Sequence, residues 1–292
     1  MSQAGRGGAT AVETDRDFIV NLSPTGMIPD RAMTPHVPLT PREIVRDVVR
    51  CADFGVSMVH LHARDADGRP SSDPAIYAEI ISGIRSERPD LVIAVSCSGR
   101  NDNSLEGRSA VLGLDGDLKP DLASLTLSSL NFNKQASVNS PDMIRDLARL
   151  MQDRGIKPEL EAFDLGMINY ARYLHRKGLI APPFYFNLIL GNIACAQADI
   201  LHAGLMLREL PADSLWSFGG VGDWQLKMNV LAILEGGGVR VGLEDSIYWD
   251  TSRTRLAGNA EMVERIVRVA AELGRTPMAP ARCRDLLKLS PR

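Results

Sequence analysis

The stretch TPREIVRDVVRCADFGVSMVHLH, residues 40 to 62, decides the fold because it contains a complete helix followed by a strand. Thr40 and Glu43 form a capping box, which predicts a helix start. The apolar stripe that follows has helical spacing and stops at Gly55. The run VSMVHLH that comes next, residues 56 to 62, is short and mostly apolar, which predicts a buried strand.

The same alternation of strand and helix extends over residues 17 to 243. Strands of a parallel sheet covered by helices are almost continuously apolar, and eight strand–helix pairs are enough to close a barrel. We therefore predict an α/β protein, a single (β/α)8 TIM barrel over residues 17–292 with a C-terminal helical tail, preceded by a disordered leader over residues 1–16. A doubly wound open sheet is the competing fold, but no GxGxxG motif follows the first strand. The eight predicted strands are FIVNLS (18–23), VSMVHLH (56–62), LVIAVS (91–96), DLASLTL (121–127), PELEAF (158–163), FYFNLI (184–189), LWSFGG (215–220) and VRVGLE (239–244).

The composition is ordinary for a soluble globular protein that buries a large core. The chain of 292 residues has 45% hydrophobic and 24% charged residues and a formal net charge of −3. This charge offers no basic surface, so we expect neither nucleic acid nor a membrane as a partner. The four cysteines have no CxxC spacing, which fits a reducing cytoplasm. The first fifteen residues are small and polar and have no apolar stretch of the length that a signal peptide or a membrane span needs, so we do not expect either there.

Two of the five histidines lie two positions apart at the carboxyl end of the second predicted strand. Side chains two apart in a strand share a face and are separated by roughly 7 Å, so His60 and His62 point the same way. In a barrel the carboxyl ends of the strands form the active-site rim. Two imidazoles there can bind one metal ion, and a pair of hydrogen-bonded core histidines is the alternative.

The eighth predicted strand offers a third ligand in GGGVRVGLEDS, residues 236 to 246. Alternation places Arg240, Gly242 and Glu244 on one face, and Glu244 can approach the histidines because strands two and eight both neighbour strand one. Two histidines and one carboxylate with an open fourth position are typical of catalytic zinc, although another divalent metal is compatible. Asp245 turns to the opposite face and is either a general base or a helix cap.

Further polar residues lie at the predicted rim or in the lumen. A buried Arg240 needs a carboxylate partner, and Glu159 and Glu161 in the fifth strand either neutralise it or bind substrate. Ser96 ends the third strand and Thr126 the fourth, where a hydroxyl can bind a carboxylate or stabilise an oxyanion. The alternative for each hydroxyl is a turn residue.

Three blocks together resemble the β-keto acid cleavage enzyme family: SMVHLHARDADGRPSSDP (57–74), KPELEAFDLGMI (157–168) and GGGVRVGLEDSIY (236–248). The resemblance runs from PTG at 24–26 to ARCRDLL at 281–287, nearly the whole chain. It implies a zinc-bearing (β/α)8 barrel, usually a homotetramer. Members of the family condense a β-keto acid with acetyl-CoA as co-substrate and release acetoacetate and a new acyl-CoA.

The resemblance also implies roles for individual residues. His60, His62 and Glu244 correspond to the metal ligands. Arg240 and Asp245 correspond to the pair that generates and stabilises the substrate carbanion, with Asp245 removing the proton.

Two further correspondences leave alternatives open. Ser96 corresponds to a residue that holds the β-keto acid, and Thr126 to another, with Ser128 as the alternative to Thr126. Glu161 corresponds to the carboxylate in the lumen, with Glu159 as the alternative.

The chain departs from the family after the third strand, where the run SCSGR brings Arg100 close to the site. Arg100 either contacts an extra anionic group of the substrate or forms a surface salt bridge. After the sixth strand, GNIACAQAD replaces a glycine-rich segment. We expect Met27, Arg100 and Asn187 to tune the choice of substrate.

A metal-dependent hydrolase of the amidohydrolase type is the competing enzyme class, because it also begins with HxH on a barrel strand. That class needs further histidines at later strand ends. Here His175 and His202 lie in helical patterns and His36 lies in a loop. A metal-stabilised binding module is a third reading, but it leaves the acid and the arginine at the rim unexplained.

Overall fold

Parallel strands form a closed barrel of eight in the computed structural model, which describes residues 16–292. Each strand pairs with its neighbours in the chain, and the eighth pairs with the first through Val239 beside Val20. This closure confirms the predicted (β/α)8 barrel and rules out the open sheet. The barrel strands are β1 (Val20–Leu22), β2 (Met58–Leu61), β3 (Val92–Val95), β4 (Leu122–Thr126), β5 (Lys157–Ala162), β6 (Phe184–Leu190), β7 (Ser214–Gly220) and β8 (Gly238–Val241).

α-Helices cover the outer surface of the barrel. The predicted capping box is present, because Thr40 Oγ1 accepts from the Glu43 N–H at 3.3 Å and a Glu43 carboxylate oxygen accepts from the Thr40 N–H at 3.0 Å. Within the described part of the chain, no helix combines the length and hydropathy needed to cross a bilayer. The helices are α1 (Pro41–Ala52), α2 (Pro74–Glu87), α3 (Leu105–Ser109), α4 (Pro141–Arg154), α5 (Leu165–Arg176), α6 (Ile200–Arg208), α7 (Gln225–Leu234), α8 (Asn259–Glu272) and α9 (Pro280–Leu287).

The lumen of the barrel changes from apolar at the bottom to polar near the rim. The bottom is a buried cluster that includes Met58, Leu122 and Tyr185 from the strands. Above it, Glu159 accepts hydrogen bonds from Asn21 at 2.9 Å and Asn187 at 2.6 Å. Buried polar groups require such partners, so this network supports the residues that lie above it.

The structure describes the C-terminal end of the chain but not the first fifteen residues. The predicted leader, residues 1–16, lies outside the described residues except for Arg16. The predicted C-terminal helical tail is α9, which closes the bottom of the barrel. Cys283 and Leu287 of α9 are fully buried in the apolar cluster of the lumen.

A buried ion pair attaches α9 to the barrel. Arg284 donates two hydrogen bonds to the carboxylate of Asp121, at 2.7 and 3.0 Å, directly before β4. The same guanidinium donates to the carbonyl oxygens of Asp90 at 2.8 Å and Leu91 at 3.2 Å, directly before β3. One side chain thus joins the bottoms of two strands to the closing helix.

Replacing Arg284 with Ala should lower the free energy of unfolding by about 2–4 kcal/mol, because buried Asp121 loses its nearest countercharge and two hydrogen bonds, and Arg85 at 3.6 Å compensates only in part. Denaturant titration followed by circular dichroism measures the loss. Arg253→Ala is the control, because it removes an exposed pair with Asp223 that water screens, so its midpoint should barely move. Equal stability of Arg284→Ala and the parent would contradict this role of α9.

Candidate active site

His60 and His62 meet at the carboxyl end of β2, as the alternation of the strand predicts. Their Nε2 atoms lie 3.2 Å apart, and both residues are buried. His60 Nδ1 donates to Glu159 Oε2 at 2.6 Å, which leaves His60 Nε2 directed toward His62. A carboxylate behind an imidazole is the usual device that orients a metal-ligating histidine.

Glu244 completes a set of three ligand groups. Its Oε1 lies 3.3 Å from His62 Nε2, and its Oε2 lies 4.0 Å from His60 Nε2. The ligand atoms of His60, His62 and Glu244 all fall within 4.8 Å of one another. Glu244 Oε2 is buried and has no hydrogen-bond partner among the described residues. Two ring nitrogens and an unsatisfied carboxylate oxygen in one place fit a divalent cation.

The route by which Glu244 reaches the histidines differs from the prediction. β8 ends at Val241, Gly242 has a φ of +149°, and residues 243–245 form a turn. Alternation along a strand therefore does not apply beyond Val241. The expectation that Asp245 points away from Glu244 is wrong, because both carboxylates contact Arg240.

Arg240 is the buried cation that organises the acidic side of the site, with 1% of its surface exposed. Its Nη2 lies 2.7 Å from Glu244 Oε1, and its Nε donates to Asp245 Oδ2 at 2.8 Å. Glu161 Oε1 is 3.9 Å from Nη1, which has no hydrogen-bond partner among the described residues. The predicted partner Glu159 instead binds His60.

The structure separates the paired alternatives for the substrate-facing residues. Glu161 lines an open cavity above the ligand set, and Thr126 Oγ1 donates to Glu161 Oε2 at 2.7 Å within it. Glu159 is fully buried below the cavity, and Ser128 is exposed outside it. Ser96 also lines the cavity, where its Oγ accepts from the Ser98 N–H at 3.2 Å.

The cavity combines a charged floor with apolar walls. Met27 and Arg100 line it, as expected of residues that tune substrate choice, whereas Asn187 lies buried beneath it and binds Glu159. Sequence reasoning missed most of the apolar walls. Their only signal is an apolar residue shortly after a strand end, and such residues are common. The missed residues are Ile28, Leu130, Phe132, Phe163, Ile189 and Val221.

Burial and neighbouring charges give the two histidines opposite pKa shifts. Burial lowers the pKa of His60, but Glu159 and Glu244 outweigh it and raise the pKa to about 9. Burial dominates at His62 and lowers its pKa to about 4 although Glu244 opposes this. His62 is therefore a neutral ligand at pH 7 without any further change, and a cation at the site would displace the proton from His60 Nε2.

The pKa values of the two adjacent carboxylates, Glu244 and Asp245, are also shifted in opposite directions. Burial raises the pKa of Glu244, but Arg240 and the two histidines hold it well below its usual range. Burial is the largest influence on Asp245 and raises its pKa, with Glu244 adding to the rise and Arg240 opposing it. Glu244 thus stays ionised, as a metal ligand needs to be, while Asp245 becomes the more basic carboxylate.

The further histidines that an amidohydrolase-type site needs do not line this cavity. His175 lies in α5 and contacts the Ile180 carbonyl oxygen at 3.1 Å. His202 lies in α6 and contacts Asp199, and His36 lies in a loop. Within residues 16–292, the cavity contains His62 with carboxylates, hydroxyls and arginines, and His60 lies directly beneath.

Comparison with known proteins gives concordant matches. A family model described as beta-keto acid cleavage enzyme matches residues 17–289. The 3-keto-5-aminohexanoate cleavage enzyme of Fusobacterium nucleatum is 35% identical over 275 residues, which cover 93% of this chain and 98% of the relative. The 3-oxoadipate:acetyl-CoA acetyltransferase of Cupriavidus necator is 35% identical over 274 residues, which cover 93% and 94%.

A solved structure supports the fold independently. A complex of ObcA with a C4-CoA adduct and oxalate superposes with a TM-score of 0.79 at 22% identity. The match covers 89% of this chain and 68% of the ObcA chain. At this identity the likeness concerns the barrel fold alone.

Replacing Gly242 with Ala should lower the free energy of unfolding by about 1–3 kcal/mol, because the positive φ is strained for alanine and its Cβ would collide with the Ser23 carbonyl group. Thermal unfolding measures this loss. Gly113→Ala is the control, since a Cβ there has nothing within 4 Å and the residue has no positive φ. A Gly242→Ala protein as stable as the control would refute the constraint on this turn.

Proposed function

The chain belongs to the β-keto acid cleavage enzyme family, and we propose that it condenses a β-keto acid with acetyl-CoA to release acetoacetate and a new acyl-CoA. The observation that carries this proposal is the convergence, in one cavity, of a metal-ligand set with a carboxylate of raised pKa held by a buried arginine. The names of the relatives support the co-substrate, since one describes an acetyl-CoA acetyltransferase of 3-oxoadipate.

We propose that His60 and His62, through Nε2, and Glu244, through its carboxylate, bind a divalent cation. Zinc is the favoured ion because two histidines and a carboxylate form a common catalytic zinc set, although another divalent metal fits the same groups. When bound, the ion supplies a Lewis acid beside the keto group, which acidifies the neighbouring CH2. Glu159 holds the His60 ring in place from the opposite side.

Asp245 acts as the general base on the CH2 between the keto group and the carboxylate of the substrate. Its raised pKa makes it a stronger base than an ordinary aspartate, and its bond to Arg240 Nε fixes its orientation. Arg240 keeps Nη1 without a hydrogen-bond partner among the described residues, so this donor can bind the developing oxyanion.

Asp245 first takes the proton, so that the substrate carbon bonds to the acetyl carbon of acetyl-CoA and the CoA thiolate leaves. Arg240 then stabilises the oxyanion as the thiolate attacks the original keto carbon. The bond between that carbon and the former CH2 breaks, and Asp245 returns its proton to the departing acetoacetate. The products are acetoacetate and the CoA ester of the other acyl fragment, with no oxidant or reductant required.

Ser96 and Thr126 hold the β-keto acid in this proposal. Both hydroxyls line the cavity, and Glu161 fixes Thr126 Oγ1 at 2.7 Å. Glu161 is the only carboxylate lining the cavity, within the described residues, that does not adjoin the ligand turn 243–245. Glu161 therefore orients the substrate-binding hydroxyl in this proposal, although its carboxylate also lies within reach of His60.

We also propose a cytoplasmic homo-oligomer, in keeping with the homotetramer that the family resemblance implies. The cysteines are all free, and three of them are buried, which suits a reducing compartment. Ile193, Ile200 and Leu201 are exposed around the start of α6 and are apolar enough to form a subunit contact.

Replacing His62 with Ala should abolish bound metal and turnover. Replacing a residue that is hydrogen-bonded to a metal ligand typically weakens metal binding roughly 10–100-fold. Glu159→Gln should therefore show an intermediate loss of metal affinity, and His62→Ala a larger one. Metal analysis after zinc-replete expression gives the metal content of each variant, and chelator titration ranks their metal affinities. Ser98→Ala removes a cavity hydroxyl outside the ligand set and should retain the metal. Parental metal content in His62→Ala would refute the ligand assignment.

Replacing Asp245 with Asn should keep the metal and reduce turnover by about 100- to 10,000-fold, the usual contribution of a general base. Formation of acyl-CoA and acetoacetate from a panel of β-keto acids plus acetyl-CoA is followed by mass spectrometry. Asp223→Asn neutralises an exposed carboxylate that also pairs with an arginine, and it serves as the control. Full activity of Asp245→Asn, or product release without CoA ester in the parent, would exclude this mechanism.

A further inference from the structure

Arg100 is a cation on the cavity wall that forms no ion pair with any described carboxylate. It follows β3 and lines the cavity together with His62 and Ser96. Its guanidinium lies 4.8 Å from the ring centroid of Phe132, and its polar contact is a long one, from Nε to Ser98 Oγ at 3.5 Å. Within residues 16–292 no carboxylate forms an ion pair with it, so the surface salt bridge considered from the sequence is absent.

The nearby carboxylates are already committed to other groups. Glu244 and Asp245 contact Arg240, and Glu161 accepts from Thr126. Burial lowers the pKa of Arg100, and Glu244, Glu161 and Asp245 counteract this only from a distance. A partly buried guanidinium without a paired anion is costly, and an anionic group on a ligand would offset that cost.

We propose that Arg100 selects β-keto acids that carry a second carboxylate at the end of the chain remote from the reacting carbons. This inference rests on the proposed function, which places the reacting end at His60, His62 and Glu244. The remainder of the substrate then extends along the apolar wall that includes Phe132. Stacking on Phe132 leaves the edge of the guanidinium free, and that edge can bind a carboxylate through two parallel hydrogen bonds.

Two other anions compete for this role, and both are disfavoured. The carboxylate common to all β-keto acids already has donors in the proposed function, namely the hydroxyls of Ser96 and Thr126 that line the same cavity. The phosphates of CoA are separated from the thioester by the whole pantetheine arm, whereas Arg100 lines the same cavity as the ligand His62. A distal carboxylate matches the position of Arg100 best.

Sequence identity to the relatives does not indicate which substrate this chain uses. Two relatives at 35% identity have names that specify an amino-substituted β-keto acid and a dicarboxylic one. The charge at the distal end therefore differs within the family, and a cation on the cavity wall attracts one kind and repels the other. The side chain at position 100 is a direct way to make that distinction.

The test compares 3-oxoadipate with 3-oxohexanoate, which has the same chain length but no distal carboxylate. The parent should prefer 3-oxoadipate in kcat/KM, and Arg100→Gln should reduce that preference roughly 10- to 100-fold, the usual worth of a hydrogen bond to a charged group. Arg100→Glu should shift the preference toward 3-keto-5-aminohexanoate.

Two variants serve as matched controls. Arg100→Lys keeps the charge but loses the planar fork that makes two parallel hydrogen bonds, so it should retain only part of the preference, more than Arg100→Gln. Lys134→Gln removes an exposed cation from a neighbouring loop and should leave the ratio unchanged, because that residue does not line the cavity. A change with Lys134→Gln as large as that with Arg100→Gln would point to long-range charge and overturn the inference.

The remaining outcomes separate this inference from the proposed function. An unchanged ratio in Arg100→Gln overturns the role of Arg100, as does an equal fall for both substrates. Calorimetric titration of 3-oxoadipate without acetyl-CoA adds a second readout. If the parent turns over no β-keto acid, the proposed function fails. Anion recognition by Arg100 would still be supported if Arg100→Gln bound 3-oxoadipate at least about 10-fold more weakly than the parent. Equal binding would overturn it.

Discussion

The pairing of Arg240 with two consecutive carboxylates is the interaction on which the active site depends. A buried guanidinium must be neutralised, and Arg240 is neutralised by Glu244 and Asp245 from the turn that follows its own strand. The same contacts fix the direction of each carboxylate, one toward the histidines and the other into the cavity. Removing the cation would leave two like charges side by side, so the arrangement of ligand and base is one electrostatic unit.

A second buried network, beneath this unit, determines how the metal-facing histidine is presented. Glu159 accepts from Asn21, Asn187 and His60, and its position is set by β5 in the wall of the barrel. Because Glu159 has no access to the cavity, its charge acts on the imidazole and not on substrate. Two glutamates spaced by one residue in the same strand therefore have different tasks, since the fully buried Glu159 orients a ligand and Glu161 lines the cavity.

The fold could be predicted from the sequence because it arises from short-range periodicity, and the same periodicity is the basis of the proposed ligand types. Buried parallel strands are apolar throughout and their number sets closure, so all eight barrel strands were identified. The prediction failed where the chain stops being extended: the positive φ of Gly242 ends the alternation, and Asp245 joins Glu244 instead of opposing it. It also failed for Asn187, which lies below the cavity, and for the apolar walls. Loop residues such as Phe132 become neighbours of the site only through tertiary folding.

The position of Arg100 in the loop after β3 has a consequence for how such enzymes diversify. The proposed metal ligands and the proposed base come from the carboxyl end of β2 and the segment after β8. Within residues 16–292, the hydrogen-bonding and ring contacts of Arg100 are with Ser98 and Phe132. Evolution can therefore exchange this side chain without disturbing the chemistry of carbon–carbon bond cleavage. Related enzymes can in this way keep one set of catalytic residues while they act on substrates of different charge.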